Sequence, residues 1–119
     1  MYSVEYYKRK NGEVPCREFI ESLSIKMQVK AMRSIELLEQ YGIELREPYS
    51  KYLEEGIFEL RVKFSSDIVR VFYFFLKGET IILTNGFMKK TNKTPRRYLR
   101  EAKKYKKDFE NGIGGIADE

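Results

Sequence analysis

Five cations at strand-like spacing carry the first chemical suggestion in this chain: Arg61, Lys63, Arg70 and the pair Lys89-Lys90. Side chains of a strand return to one face every second residue, so Arg61 and Lys63 share a face. Arg70 follows a short Ser65-Ser66-Asp67 turn that brings it beside them, and Lys89-Lys90 stand at the end of a later strand. Gathering like charges costs free energy unless an anion occupies the space between them, so the set points to a phosphate site. Each residue also has an ordinary reading. Arg61 beside Glu59 and Glu55 fits a surface ion pair, and Lys89-Lys90 fit a solvated strand end. Arg70, alone among Ile68, Val69, Val71 and Phe72, needs either an internal carboxylate or a functional anion.

The charge of the whole chain sharpens this. Between Gly86 and Lys107 there are ten Lys/Arg against one acid, Glu101, whereas residues 1–85 carry thirteen of each sign. A one-sided field of that kind attracts polyanions, RNA foremost, and assigns Lys93, Arg96, Arg97, Arg100, Lys103, Lys104 and Lys107 to an RNA- or ribosome-binding segment. The chain has no histidine and one cysteine, Cys16. The usual general base and every Ser-His or Cys-His arrangement are therefore missing. Cys16 has no partner for zinc, the carboxylates lack metal-ligand spacing and no phosphate-binding Gly-rich loop occurs, so neither cofactor nor metal is expected. No run of apolar residues is long enough for a membrane span, and the N-terminus lacks the layout of a secretion signal. With a single cysteine this suits a reducing cytoplasm.

The elements that must position these residues follow from periodicity. Tyr2–Lys8 alternates as a strand closed by an Asn11-Gly12 turn. Pro15 opens a short helix through Leu23, and Ser24 caps a longer one whose stripe is Ile25, Val29, Met32, Ile35 and Leu38, with Gly42 as its stop. Lys26, Lys30, Arg33, Glu36 and Glu39 then face water. Residues 43–56 read as irregular. Three hairpin-connected strands follow at Ile57–Phe64, Ile68–Leu76 and Thr80–Met88. Thr94-Pro95 opens a last helix with the stripe Tyr98, Ala102, Tyr105 and Phe109. The reading is one α+β domain over 1–111 with a flexible tail at 112–119. Two helices cover one sheet face, and the other stays partly open to receive Arg61 and Lys63.

Three motifs in order give a resemblance over about Val4–Tyr105: Gly56-Ile57-Phe58-Glu59-Leu60-Arg61, then Val69-Arg70-Val71-Phe72-Tyr73, then Gly86-Phe87-Met88-Lys89-Lys90-Thr91-Asn92-Lys93-Thr94-Pro95. Together they resemble the RelE/ParE superfamily of toxins, in particular its phage-derived HigB-like branch. The resemblance implies a RelE-like fold, a small twisted antiparallel-rich sheet with two N-terminal helices on one face and a C-terminal helix nearby. It implies the toxin of a type II toxin–antitoxin system, an endoribonuclease that cleaves mRNA on the ribosome, neutralised in a hetero-oligomer by an antitoxin with a helix-turn-helix domain. Carried over, Arg61 and Lys63 match the basic strand residues of that site, Arg70 its strand arginine, Lys90 with Lys89 the basic pair after the last strand, and Tyr98 a C-terminal tyrosine at different spacing. The chemistry expected is attack of the RNA 2′-OH on the adjacent phosphodiester. Arg61 and Arg70 would act as forked donors to the phosphorane, Lys90 or Lys63 as base, and Tyr98 or another cation as acid. Two other readings stand beside it, a ParE-like inhibitor of DNA gyrase that cleaves no RNA and a plain RNA-binding module.

Overall fold

The computed structural model describes residues 1–89 and 95–118. In chain order the elements are β1 (Ser3–Lys8), α1 (Pro15–Glu21), α2 (Ile25–Tyr41), a single 3₁₀ turn (Gly42–Glu44), β2 (Ser50–Glu54), β3 (Ile57–Phe64), β4 (Asp67–Leu76), β5 (Thr80–Lys89), α3 (Arg96–Glu110) and β6 (Gly115–Ile116). The strands form one sheet in the order β2-β3-β4-β5-β1-β6. β1 runs parallel to β5 and all other neighbours are antiparallel. This is the expected α+β, RelE-like architecture.

Local signals place the helices. Pro15 occupies the first turn of α1, where its missing N–H costs nothing. The Ser24 hydroxyl accepts a hydrogen bond from the Met27 amide and caps α2. β4 is apolar on both faces because it is covered on both. Val69, Val71 and Tyr73 pack towards α1 and α2, while Phe72 and Phe74 pack towards α3.

Four expectations need correction. The buried stripe of α2 is Met27, Ala31, Ile35 and Leu38, whereas Ile25, Val29 and Met32 stand exposed. Both lines have helical spacing, but the 25-29-32 line runs into Glu36 and Glu39, so only the other stays apolar along the whole helix. The second sheet face is less open than expected. α3 seats Leu99, Ala102 and Tyr105 on Ile57, Phe72, Phe74, Ile82 and Phe87. Within the stretch read as irregular, β2 pairs with β3 through a turn at Glu55 and Gly56, whose φ values of 51° and 81° suit a tight hairpin. Lastly, residues 112–118 do not hang free. Tyr7 pairs with Ile116, the Ala117 amide donates to the Tyr6 carbonyl at 2.8 Å, and Ala117 is buried. A small residue in a Gly-rich stretch gave no sign of that anchorage. The last helix begins at Arg96 with Pro95 as its N-cap, and Thr94 lies outside the described residues.

Candidate functional site

Strand register alone assembles the cations. Arg61 stands directly opposite Arg70, Arg70 opposite Phe87, Ile68 opposite Lys89, and Lys51 opposite Glu59. β2, β3, β4 and β5 therefore place Lys51, Arg61 with Lys63, Arg70 and Lys89 at the same end of the sheet. Like charges facing each other across two strands are destabilising. Glu59 offsets this. Its Oε1 lies 2.7 Å from Arg70 Nε and 3.3 Å from Arg61 Nε. Arg61 reaches a second carboxylate, Glu47, at 3.2 Å. Glu59 is 2% exposed and Arg70 8%, so the central pair is taken out of water. The Arg70 contact is an ion pair rather than an aligned hydrogen bond, because Nε lies close to the carboxylate without pointing at it.

Burial pushes the Arg70 guanidinium pKa down and Glu59 pushes it back up, yet a guanidinium keeps its charge throughout. Lys89 is a different case. Burial, then the nearby Arg70, lowers its ammonium pKa, with Arg61 and Lys51 adding to the shift and Glu59 opposing it. An amine so placed gives up its proton more readily than an ordinary lysine.

β3 continues past the start of β2, which pairs only from Ser50 opposite Leu60 onwards. Alongside that uncovered length lies a cavity of about 450 Å³ bordered by Lys30 and Arg33 of α2, Tyr49 of the preceding loop, Arg61, Lys63 and Arg70. Five cations thus border one cavity, with Glu59 buried behind two of them. On the opposite flank Tyr98 stacks on Phe87, the cross-strand partner of Arg70, with ring centroids 4.7 Å apart and an interplanar angle of 2°. The Tyr98 hydroxyl accepts from Arg97 Nη2 at 2.7 Å, and its carbonyl accepts from Asn85 Nδ2 at 3.1 Å. The ring is thereby fixed beside the cations.

Against this geometry, comparison with known families gives one finding. Residues 18–107 match the family described as Phage derived protein Gp49-like (DUF891). The chain belongs to the Gp49-like family. Gp49-like proteins are known in toxin–antitoxin systems as RelE-like toxins. The matched span includes Lys51, Glu59, Arg61, Arg70, Lys89 and Tyr98, and leaves β1 and β6 outside. No curated protein matches the chain.

Of the residues singled out by sequence, this Gp49-like structure brings Arg61, Arg70 and Lys89 together, sets Tyr98 at their border and leaves Lys63 exposed at the cavity rim. Lys90 and Lys93 lie outside the described residues. The basic helix is less one-sided than its sequence. Lys103 pairs with Glu54 and, at 2.8 Å, with Glu55 from the β2–β3 turn. Arg96 lies 3.9 Å from Glu54, and Lys104 bonds Asp108 at 2.9 Å. Arg97 covers the Tyr98 ring. Arg100 and Lys107 form no ion pair among the described residues. Two features escaped the sequence. Lys30 and Arg33, assigned to water, border the cavity because they sit three residues apart on one side of α2. Lys51 becomes visible as part of the set only once β2 is recognised, since its place depends on pairing with Glu59.

Proposed function

We infer that this Gp49-like chain is the toxin of a type II toxin–antitoxin pair and cleaves mRNA, ribosome-bound in the cytoplasm, without a metal. The observation carrying this reading is the direct apposition of Arg61 and Arg70 beside Lys89, three cations from three adjacent strands. In the proposed reaction the neutral Lys89 amine takes the proton of an RNA 2′-OH, and the 2′-oxygen attacks the adjacent phosphorus. The bond from phosphorus to the 5′-oxygen breaks, and that oxygen receives a proton from the Tyr98 hydroxyl or a neighbouring cation. A 2′,3′-cyclic phosphate and a 5′-OH result. Arg61 and Arg70 stabilise charge building on the phosphorane through forked donors. Lys63 at the rim and Lys90 are the other candidates for the base. Proton transfer contributes ~10²–10⁴-fold, and ribosomal positioning of the message supplies the larger share, up to ~7–11 kcal/mol. The partner expected is an antitoxin with a helix-turn-helix domain.

One observation favours a binding-only role: Glu59 already satisfies part of both arginines, as a structural ion pair would. Reconstituted translation complexes separate the two readings. Programmed ribosomes incubated with the purified chain should yield mRNA fragments ending in 2′,3′-cyclic phosphate, and Arg61→Ala should remove them. Bound but intact message would leave the binding module. Linear DNA breaks in growing cells with intact messages would favour the gyrase-inhibitor reading.

A further inference from the structure

Outside the site, α2 carries a second apolar line that no described residue covers. Ile25 is 74% exposed, Val29 48% and Met32 46%, at i, i+4 and i+7, and Phe64 at the end of β3 is 38% exposed beside them. Soluble proteins rarely leave contiguous apolar surface of this kind uncovered without a use for it. Here Ile25, Val29 and Phe64 line a groove of about 300 Å³ whose other walls are Lys26, Lys30 and Arg33, with no acid among its described lining residues. We propose that this groove docks an acidic amphipathic helical segment of a partner protein, apolar residues set on Ile25, Val29 and Phe64 and carboxylates on Lys26, Lys30 and Arg33.

Spacing and charge both select that occupant. An apolar line at helical spacing accepts side chains from another helix at the same spacing. Three flanking cations reject a basic segment and reward an acidic one, mainly through specificity and association rate. Single-stranded RNA fits less well. Bases stack on aromatic platforms, and two of the three apolar groups in the groove are aliphatic. Lys30 and Arg33 also border the cationic cavity, so a bound acidic segment lies across one wall of it and competes with any polyanion entering there.

Docking does not depend on the nuclease reading and is tested without it. A synthetic helical peptide of roughly 20 residues, Leu at i, i+4 and i+7 with flanking Glu, is titrated into the full ¹⁵N-labelled chain. A version with every Glu replaced by Lys and a single-stranded RNA oligomer serve as the other probes. The expected result is shifts in the amides of residues 25–33 and 64 with the acidic peptide alone, weakened about tenfold or more by Val29→Asp and by Lys26→Glu. Both substitutions lie on exposed positions, and unchanged thermal melting verifies the fold. Equal binding of both peptides, shifts in the groove with RNA only, no binding of the acidic peptide, or self-association abolished by Val29→Asp would each overturn the proposal.

Discussion

Replacing Glu59 with Gln tests the physical centre of the site. The carboxylate sits 2.7 Å from Arg70 Nε and 3.3 Å from Arg61 Nε, and the Glu59–Arg70 pair is almost fully buried. Removing one member of a buried pair costs about 3–5 kcal/mol, because the remaining charge is left unsolvated. The Arg61 contact is a quarter exposed at the arginine and adds little, about 0–1 kcal/mol. Glu59→Gln should therefore lose about 3–5 kcal/mol in urea unfolding, read as a shift in midpoint at constant slope. Glu59→Leu combined with Arg70→Met should recover most of that loss, since an apolar pair of similar size avoids the desolvation penalty. A second readout separates an anion site from a mere ion pair. Without Glu59 the cluster of Lys51, Arg61, Arg70 and Lys89 keeps, among the described residues, only the exposed Glu47 on Arg61 as counter-charge, so inorganic phosphate should raise the melting temperature of Glu59→Gln more than that of the parent chain. A loss below about 1 kcal/mol, with equal phosphate effects on both proteins, would refute the reasoning.

Other outcomes follow from the same geometry. If Lys89 is the base, single-turnover cleavage rises with pH below the ordinary lysine range, and Lys89→Arg flattens that limb while leaving message binding intact. The stability effect of Lys89 has the corresponding sign. Its lowered folded-state pKa means that the unfolded chain binds more protons between that pKa and about 10.5, so its contribution improves as pH rises through that window, checked by melting the parent chain against Lys89→Met. Along α3, Lys107→Ala should reduce the salt dependence of RNA binding by about one unit of log–log slope. Lys103→Ala should change it less, since Glu54 and Glu55 already hold that ammonium. Gly86→Ala should cost about 1–3 kcal/mol in chemical unfolding. A Cβ there would lie 2.7 Å from the Phe19 ring and 2.9 Å from the Arg70 carbonyl, so β5 must move away from the strand that carries Arg70.

Much of this architecture is legible in the sequence. β3 reads directly from the alternation of Phe58, Leu60 and Val62 with Glu59, Arg61 and Lys63, and β4 from its unbroken apolar run. Ser24 and Pro15 mark their helices because caps and fixed φ angles act locally. What escaped depends on distant partners. The choice between the two apolar lines of α2 is made by the sheet it meets, and β2 exists through pairing with β3 rather than through its own pattern. Glu59 shows the same limit most clearly. By sequence, Arg70 needs either a carboxylate or an anion, and Glu59 stands out only as a neighbour of Arg61. Only the register, which sets Arg61 opposite Arg70, shows one carboxylate serving both arginines.

The position of β1 has a consequence for biogenesis. β1 precedes its sheet neighbours in the chain yet settles between β5 and β6, where Ser3 faces Thr80 and Tyr6 faces Leu83. Such distant pairing is entropically expensive and forms late. A nascent chain halted before residue 80 thus has no ladder for its opening strand and lacks Lys89 entirely. Assembly of the cation cluster is therefore deferred until most of the polypeptide has been made.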